Sequence, residues 1–183
     1  MKFVILISGC AFLLLAANLN TQERPAKSYF IELNVETLSE KSAPEFHLRT
    51  VAGDTVSLAK MKGQIVILHF WATWCKPCRH EMPALEQLFR ESRLLPVSIL
   101  GISIDDKKDS LKIPPALKQM EVTFPITAAF SGTVPKAYWN WGIPVTYIID
   151  QNGKFIGRLR GSRDWGSPPM LAFLRQLVKE YSQ

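Results

Sequence analysis

The chain has 183 residues, enough for one domain with a sizeable core plus a short extension. Its 47% apolar and 21% charged residues are ordinary for a globular protein, and it contains neither a repeat nor a low-complexity segment. The net charge of +6 is scattered apart from short groups such as Arg158, Arg160 and Arg163, with no interleaving of basic and aromatic residues, so nucleic acid is not an expected partner.

The N-terminus carries only Lys2 before an apolar run over residues 3–17. Such a run fits a secretory h-region of about 7–15 residues better than a membrane span of about 20. Ala16 and Ala17 offer an imperfect cleavage site, because Leu15 stands where a small residue is usual. Three outcomes stay open: a cleaved signal peptide, a retained anchor that tethers the chain through residues 3–17, and lipidation at Cys10, where Ile7-Ser8-Gly9-Cys10 resembles a bacterial lipobox. Each places the remainder outside the cytoplasm, in the periplasm or on the outer face of the cytoplasmic membrane. Residues 1–20 are therefore read as the export segment, residues 21–43 as a polar linker, and residues 44–183 as the folded domain.

In chain order, residues 45–50 and 55–58 flank Gly53-Asp54 and predict a hairpin. Residues 65–70 are apolar on both faces, as a central strand in a covered sheet would be. A helix is expected over residues 76–92, with Pro77 in its first turn and a kink at Pro83. Residues 98–104 read as a strand, residues 114–120 as a helix and residues 134–139 as a helical turn. Asp150-Gln151-Asn152-Gly153 is a strong turn signal between strands at 145–149 and 155–159. Ser167 and Pro168 open a last helix whose apolar stripe is Leu171, Leu174, Leu177, Val178 and Tyr181. The fold class is α/β, with a mixed central sheet flanked by helices and an added N-terminal hairpin.

The chemistry centres on Trp74-Cys75-Lys76-Pro77-Cys78, between the buried strand and the helix. Thiol–disulfide exchange needs a thiolate to attack and a second thiol to release the mixed disulfide. A Cys-x-x-Cys at a helix start supplies both. Unpaired N–H groups and the helix dipole favour a thiolate at Cys75, aided by Lys76, Arg79 and His80. Cys78, about one turn inside, is placed to resolve the intermediate. A zinc site would need two further ligands, yet the only other cysteine is Cys10 and the histidines are His47, His69 and His80. A structural role gains little, because one pair closing so short a loop constrains the unfolded chain weakly. No cofactor is called for.

Phe70-Trp71-Ala72-Thr73-Trp74-Cys75-Lys76-Pro77-Cys78 with Glu81-Met82-Pro83 resembles the active-site segment of the thioredoxin-like family that includes TlpA, ResA and the cytochrome c biogenesis thioredoxins. The resemblance runs over roughly residues 43–180 and includes Pro44-x-Phe46, Lys62-Gly63, Gly142-Ile143-Pro144-Val145-Thr146 and Asp164-Trp165. It implies a thioredoxin-like fold and thiol–disulfide exchange with proteins, reduction being the favoured direction and cytochrome c maturation a precedent, while the residues themselves leave reduction and oxidation both open. Protein thiols and disulfides would be the partners, and a membrane-borne donor would supply electrons. It further implies that Pro144 is cis and lies against the cysteine pair, with the backbone of Ile143 meeting an extended substrate chain. Trp74, Lys76 and Pro77 would form the rest of the substrate rim.

The acidic residue at the matching position of ResA-type reductases tunes thiol reactivity, a role that would fall to Glu81; the alternative is a solvated helix carboxylate. His69 departs from the family, which has aspartate or asparagine there. Buried and neutral, it could accept the proton of Cys78, or serve only as a hydrogen-bonded core histidine. Most of Trp71, Trp139, Trp141 and Trp165 are expected in the core or the apolar rim. Arg158, Arg160 and Arg163 are expected on an exposed face, able to orient an acidic partner. Two other functions stand as alternatives. A peroxiredoxin would need Thr-x-x-Cys, which Thr73-Trp74-Cys75 does not provide. A copper-carrying assembly factor of thioredoxin fold would use a wider Cys-x-x-x-Cys pair and a downstream histidine, and no histidine follows His80.

Overall fold

The computed structural model describes residues 24–39, 41–132, 134–138 and 142–181. The expected export segment, Cys10, Trp139 and Trp141 lie outside them. No helix among the described residues is long and apolar enough to cross a membrane.

The elements in chain order are α1 (Ala26–Glu32), β1 (Glu36–Thr37), β2 (His47–Arg49), β3 (Thr55–Ser57), β4 (Ile65–Trp71), α2 (Lys76–Glu91), β5 (Val97–Ser103), α3 (Ile113–Gln119), β6 (Ile126–Ala128), β7 (Val145–Ile149), β8 (Phe155–Arg160) and α4 (Pro168–Tyr181). Six strands form one sheet in the order β1-β8-β7-β4-β5-β6, and β2 pairs with β3 as a separate hairpin. β4 runs parallel to β5 and antiparallel to β7, so the sheet is mixed. This is the thioredoxin-like α/β plan expected from the sequence.

Every residue of β4 is buried, which explains a run without polar alternation. Its side chains nevertheless alternate between faces. Ile65, Ile67 and Trp71 join a core built with α1, α2 and α4, whereas Val66, Leu68 and Phe70 join a second core with Phe46, Leu48, Tyr138 and Tyr147. Residue 69 belongs by parity to the first face, so its imidazole points toward α2. α2 runs without interruption through Pro83, which lies on the solvent side. Asp150 accepts from the N–H groups of Asn152 and Lys154 at 2.9 and 2.7 Å, and Gly153 takes the positive φ of 79° that closes the β7–β8 hairpin.

The linker expected over residues 21–43 is corrected in its described part. α1 lies against α4, β1 pairs with β8, and Ser42 bridges Lys154. Tyr29 packs tilted and Phe30 edge-on against Phe173, at centroid distances of 6.0 and 5.4 Å. These few apolar residues were too short a pattern to announce a helix, and their partners come from the other end of the chain. In α4 the expected Leu174 and Leu177 are buried together with Met170 and Phe173, whereas Leu171, Val178 and Tyr181 of the expected stripe are only partly buried. Arg158, expected on an exposed face, is 8% exposed and paired with Glu36 of β1, while Arg160 lies 3.2 Å from the same carboxylate.

Tyr29→Ala is expected to lower stability by about 2–4 kcal/mol, the cost of emptying a buried aromatic site. Chemical denaturation of the two proteins checks this, and an unchanged midpoint would return the segment to the role of a linker.

Candidate functional site

β4 delivers the chain to the cysteines at its C-terminal end. The Cys75 N–H bonds to the Ala72 carbonyl at 3.1 Å, forming a tight turn out of the sheet. Asp105, just beyond β5, holds this turn: it accepts from the Thr73 N–H at 2.9 Å, the Thr73 hydroxyl at 2.6 Å and the Ser103 hydroxyl at 2.6 Å. The Asp105 carboxylate is buried, so these donors replace the water it has lost. Sequence reasoning missed this residue, because the parallel β4–β5 register that brings it to Thr73 is a tertiary fact.

Cys75 is the N-cap of α2, with Pro77 in the first turn. Its sulfur accepts from the Cys78 N–H at 3.2 Å, one of the helix-start donors that would steady a thiolate. Cys75 and Cys78 are joined as a disulfide, with Cα atoms 5.3 Å apart. Cys75 is 5% exposed and Cys78 fully buried, while Trp74 stands 67% exposed beside them. Lys76 and Pro77 are also exposed. The Ile143–Pro144 bond is cis. The pairing of Phe70 with Val145 carries Pro144 to the end of β4 from which the cysteine turn leaves.

Beneath the disulfide lies a buried polar pair. Glu81, one turn after Cys78 on the same buried face of α2, meets His69 with Oε1 3.8 Å from Nε2. The other oxygen of Glu81 accepts from the Arg163 N–H at 2.6 Å and from the Trp165 indole at 2.9 Å. His69 Nδ1 is hydrogen-bonded to the Thr146 hydroxyl at 2.9 Å, across the β4–β7 ladder. The two facing atoms, His69 Nε2 and Glu81 Oε1, have no hydrogen-bond partner among the described residues.

The chain matches the AhpC/TSA family over residues 40–156. It belongs to that family. The thiol-disulfide oxidoreductase ResA of Bacillus thuringiensis subsp. konkukian is 32% identical over 67% of this chain and 70% of that protein. The thioredoxin-like protein YneN of Bacillus subtilis is 39% identical over 62% and 66% of the two chains. Among solved structures, a thiol:disulfide interchange protein of the thioredoxin family from Chlorobium tepidum superposes with a TM-score of 0.62 at 25% identity, covering 81% of this chain and all of that one. StoA of Bacillus subtilis shares the fold at a TM-score of 0.60, over 73% and 98% of the chains. With its Cys-x-x-Cys disulfide, this AhpC/TSA-family protein is a thiol–disulfide oxidoreductase.

Burial dominates the electrostatics of this oxidoreductase. It lowers the His69 pKa from 6.5 to about 3, so the imidazole is neutral at ordinary pH. It raises the Glu81 pKa from 4.5 to about 7, against the opposing pull of the Arg163 and Trp165 hydrogen bonds and the Arg163 charge. The close approach of Glu81 and His69 is therefore not an ion pair. Glu81 is a buried acid poised near neutrality, not the solvated carboxylate that was its alternative. Trp165, expected only as core or rim, gives that carboxylate a hydrogen bond, and no sequence signal linked the two.

The two shifts act on stability in opposite senses. Between about pH 3 and 6.5 the unfolded chain holds a proton on His69 that the folded chain lacks, so this group makes stability rise with pH. Between about pH 4.5 and 7 the folded chain holds a proton on Glu81 that the unfolded chain lacks, so this one makes it fall. Across the shared window, about pH 4.5 to 6.5, they offset each other. Relative to the native protein, His69→Asn should lose stability with rising pH through that window and Glu81→Gln should gain it, each by about 1–3 kcal/mol. Denaturant titrations at a series of pH values measure both; parallel curves for all three proteins would refute it.

Proposed function

We propose that this oxidoreductase reduces protein disulfides outside the cytoplasm, where the apolar run at residues 3–17 would send it. The carrying observation is the ordering of the two sulfurs: Cys75 reaches the surface at a helix N-cap, and Cys78 is sealed behind it. The Cys75 thiolate attacks one sulfur of a substrate disulfide, forming a mixed disulfide and expelling the other substrate sulfur as a thiolate. Cys78 then loses its proton and attacks Cys75. That step closes the Cys75–Cys78 bond and releases the second substrate thiolate, so two electrons pass from the dithiol to the substrate. A membrane-borne dithiol donor would return them. Trp74, Lys76, Pro77 and the Ile143–Pro144 edge form the receiving surface, where a cis proline leaves no N–H to compete for the thiolate. Proteins whose cysteines must be reduced before assembly, as in cytochrome c maturation, are the substrates this reading favours.

Glu81 takes the Cys78 proton in this scheme, since a base serves best with a pKa near the working pH. The proposed role of His69 as that base yields to the carboxylate, because an imidazole titrating at about 3 holds a proton too weakly. His69 instead positions Glu81: with Nδ1 engaged by Thr146, Nε2 presents either a donor to the carboxylate or a lone pair to the carboxylic acid.

Cys78→Ser should accumulate a mixed disulfide through Cys75, visible by mass spectrometry after mixing with a protein disulfide. Equal trapping by Cys75→Ser would reverse the assignment. The rate of mixed-disulfide release should rise through an inflexion near pH 7 that Glu81→Gln abolishes and His69→Asn retains. Its loss in His69→Asn alone would give the base role to the imidazole.

A further inference from the structure

Beside the disulfide runs a groove of about 870 Å³ between the start of α2 and the end of α3. Lys76 and Arg79 rim it, Gln119 closes one side, and Pro77, Pro83 and Met120 provide apolar surface. None of the described residues that line it is acidic. Arg79 donates to Gln119 at 2.8 Å and also borders a second recess of about 400 Å³ that includes the exposed Trp74. The one carboxylate of that recess, Asp109, is held 2.7 Å from Lys112.

Several cations elsewhere on the molecule are matched to carboxylates, with Arg158 and Arg160 sharing Glu36, Arg90 meeting Glu86 and Arg24 meeting Glu32. Among the described residues no carboxylate lies within ion-pair distance of Lys76 or Arg79. Two unmatched positive charges thus flank an apolar floor within one turn of Cys75. A segment entering this groove must satisfy both features, with carboxylates toward the rim and apolar side chains toward the prolines, Met120 and Trp74.

We propose that this groove docks an acidic, apolar-spotted segment of the protein substrate, next to the disulfide that Cys75 attacks. The inference rests on the disulfide-reductase reading and specifies its substrate class. A second copy of this chain fits poorly, because its corresponding face is also basic and its net charge is +6. Opposite charge across such a rim chiefly speeds productive encounter and falls away with salt.

The test uses the full chain in neutral detergent, reduced with dithiothreitol. Its substrates are two peptides of equal length with the same intramolecular disulfide, one flanked by glutamates and one by lysines. Hydroxyethyl disulfide serves as a small neutral substrate. The acidic-to-basic ratio of kcat/KM should be at least about tenfold near 20 mM salt and shrink to about twofold near 0.5 M. Arg79→Gln should cut the low-salt ratio about threefold, whereas Lys60→Gln, at the opposite end of β4, should leave it. Because the ratio compares two peptides on one protein, a change in thiol acidity cancels from it. A ratio near one while hydroxyethyl disulfide is still reduced overturns the docking proposal alone. Failure to reduce hydroxyethyl disulfide as well overturns the reductase reading. Self-association at low salt that Arg79→Gln abolishes would overturn the proposal in favour of a second copy.

Discussion

The site depends on a strand that is buried on both faces and ends three residues before the exposed Trp74. β4 lies between β5 and β7 with cores above and below, so its backbone is held from both sides along its length. Where it ends, the chain must turn sharply, and the first free N–H groups of α2 are waiting there. The disulfide sits at that junction because it is where a rigid element meets unsatisfied donors. Asp105 reinforces the turn from the neighbouring strand, tying Thr73 to β5 with hydrogen bonds of 2.6 and 2.9 Å. A reactive sulfur can then be presented without a flexible loop to blur its position.

The same burial that makes the strand rigid sets the proton chemistry. A charge beneath the disulfide has lost its water, so the histidine is driven neutral and the carboxyl is pushed toward neutrality. Hydrogen bonds from Arg163 and Trp165 stop Glu81 from rising further, because they favour its ionised form. The pair is poised by competition between desolvation and donors rather than by attraction between opposite charges. Leaving two facing polar atoms without partners costs stability, of order 1–3 kcal/mol for each group. Such a cost is tolerable where proton transfer requires an atom to remain uncommitted.

Local chemistry was legible where it depends on neighbours in sequence. The hairpin turn at Asp150-Gln151-Asn152-Gly153, the covered strand, and a helix opening on Cys75 all appear where their residue patterns place them. α1 was not legible, since seven residues carry too little periodicity and their apolar partners lie on α4, more than a hundred positions away. Arg158 misled for a related reason. An arginine inside β8 reads as solvated until β1 adds itself to that edge of the sheet and brings Glu36 to it.

From the sequence alone came the reaction: two cysteines at helix spacing, with no further ligand set to divert them to metal, specify exchange between sulfurs. That information is local, because the thiols and their helix start lie within four residues. Only the tertiary structure decided how the protons are handled. His69 and Glu81 are twelve residues apart on different elements, and Thr146, Arg163 and Trp165 come from still further along the chain. Their pKa values follow from burial, which exists only once the sheet and helices have closed over them.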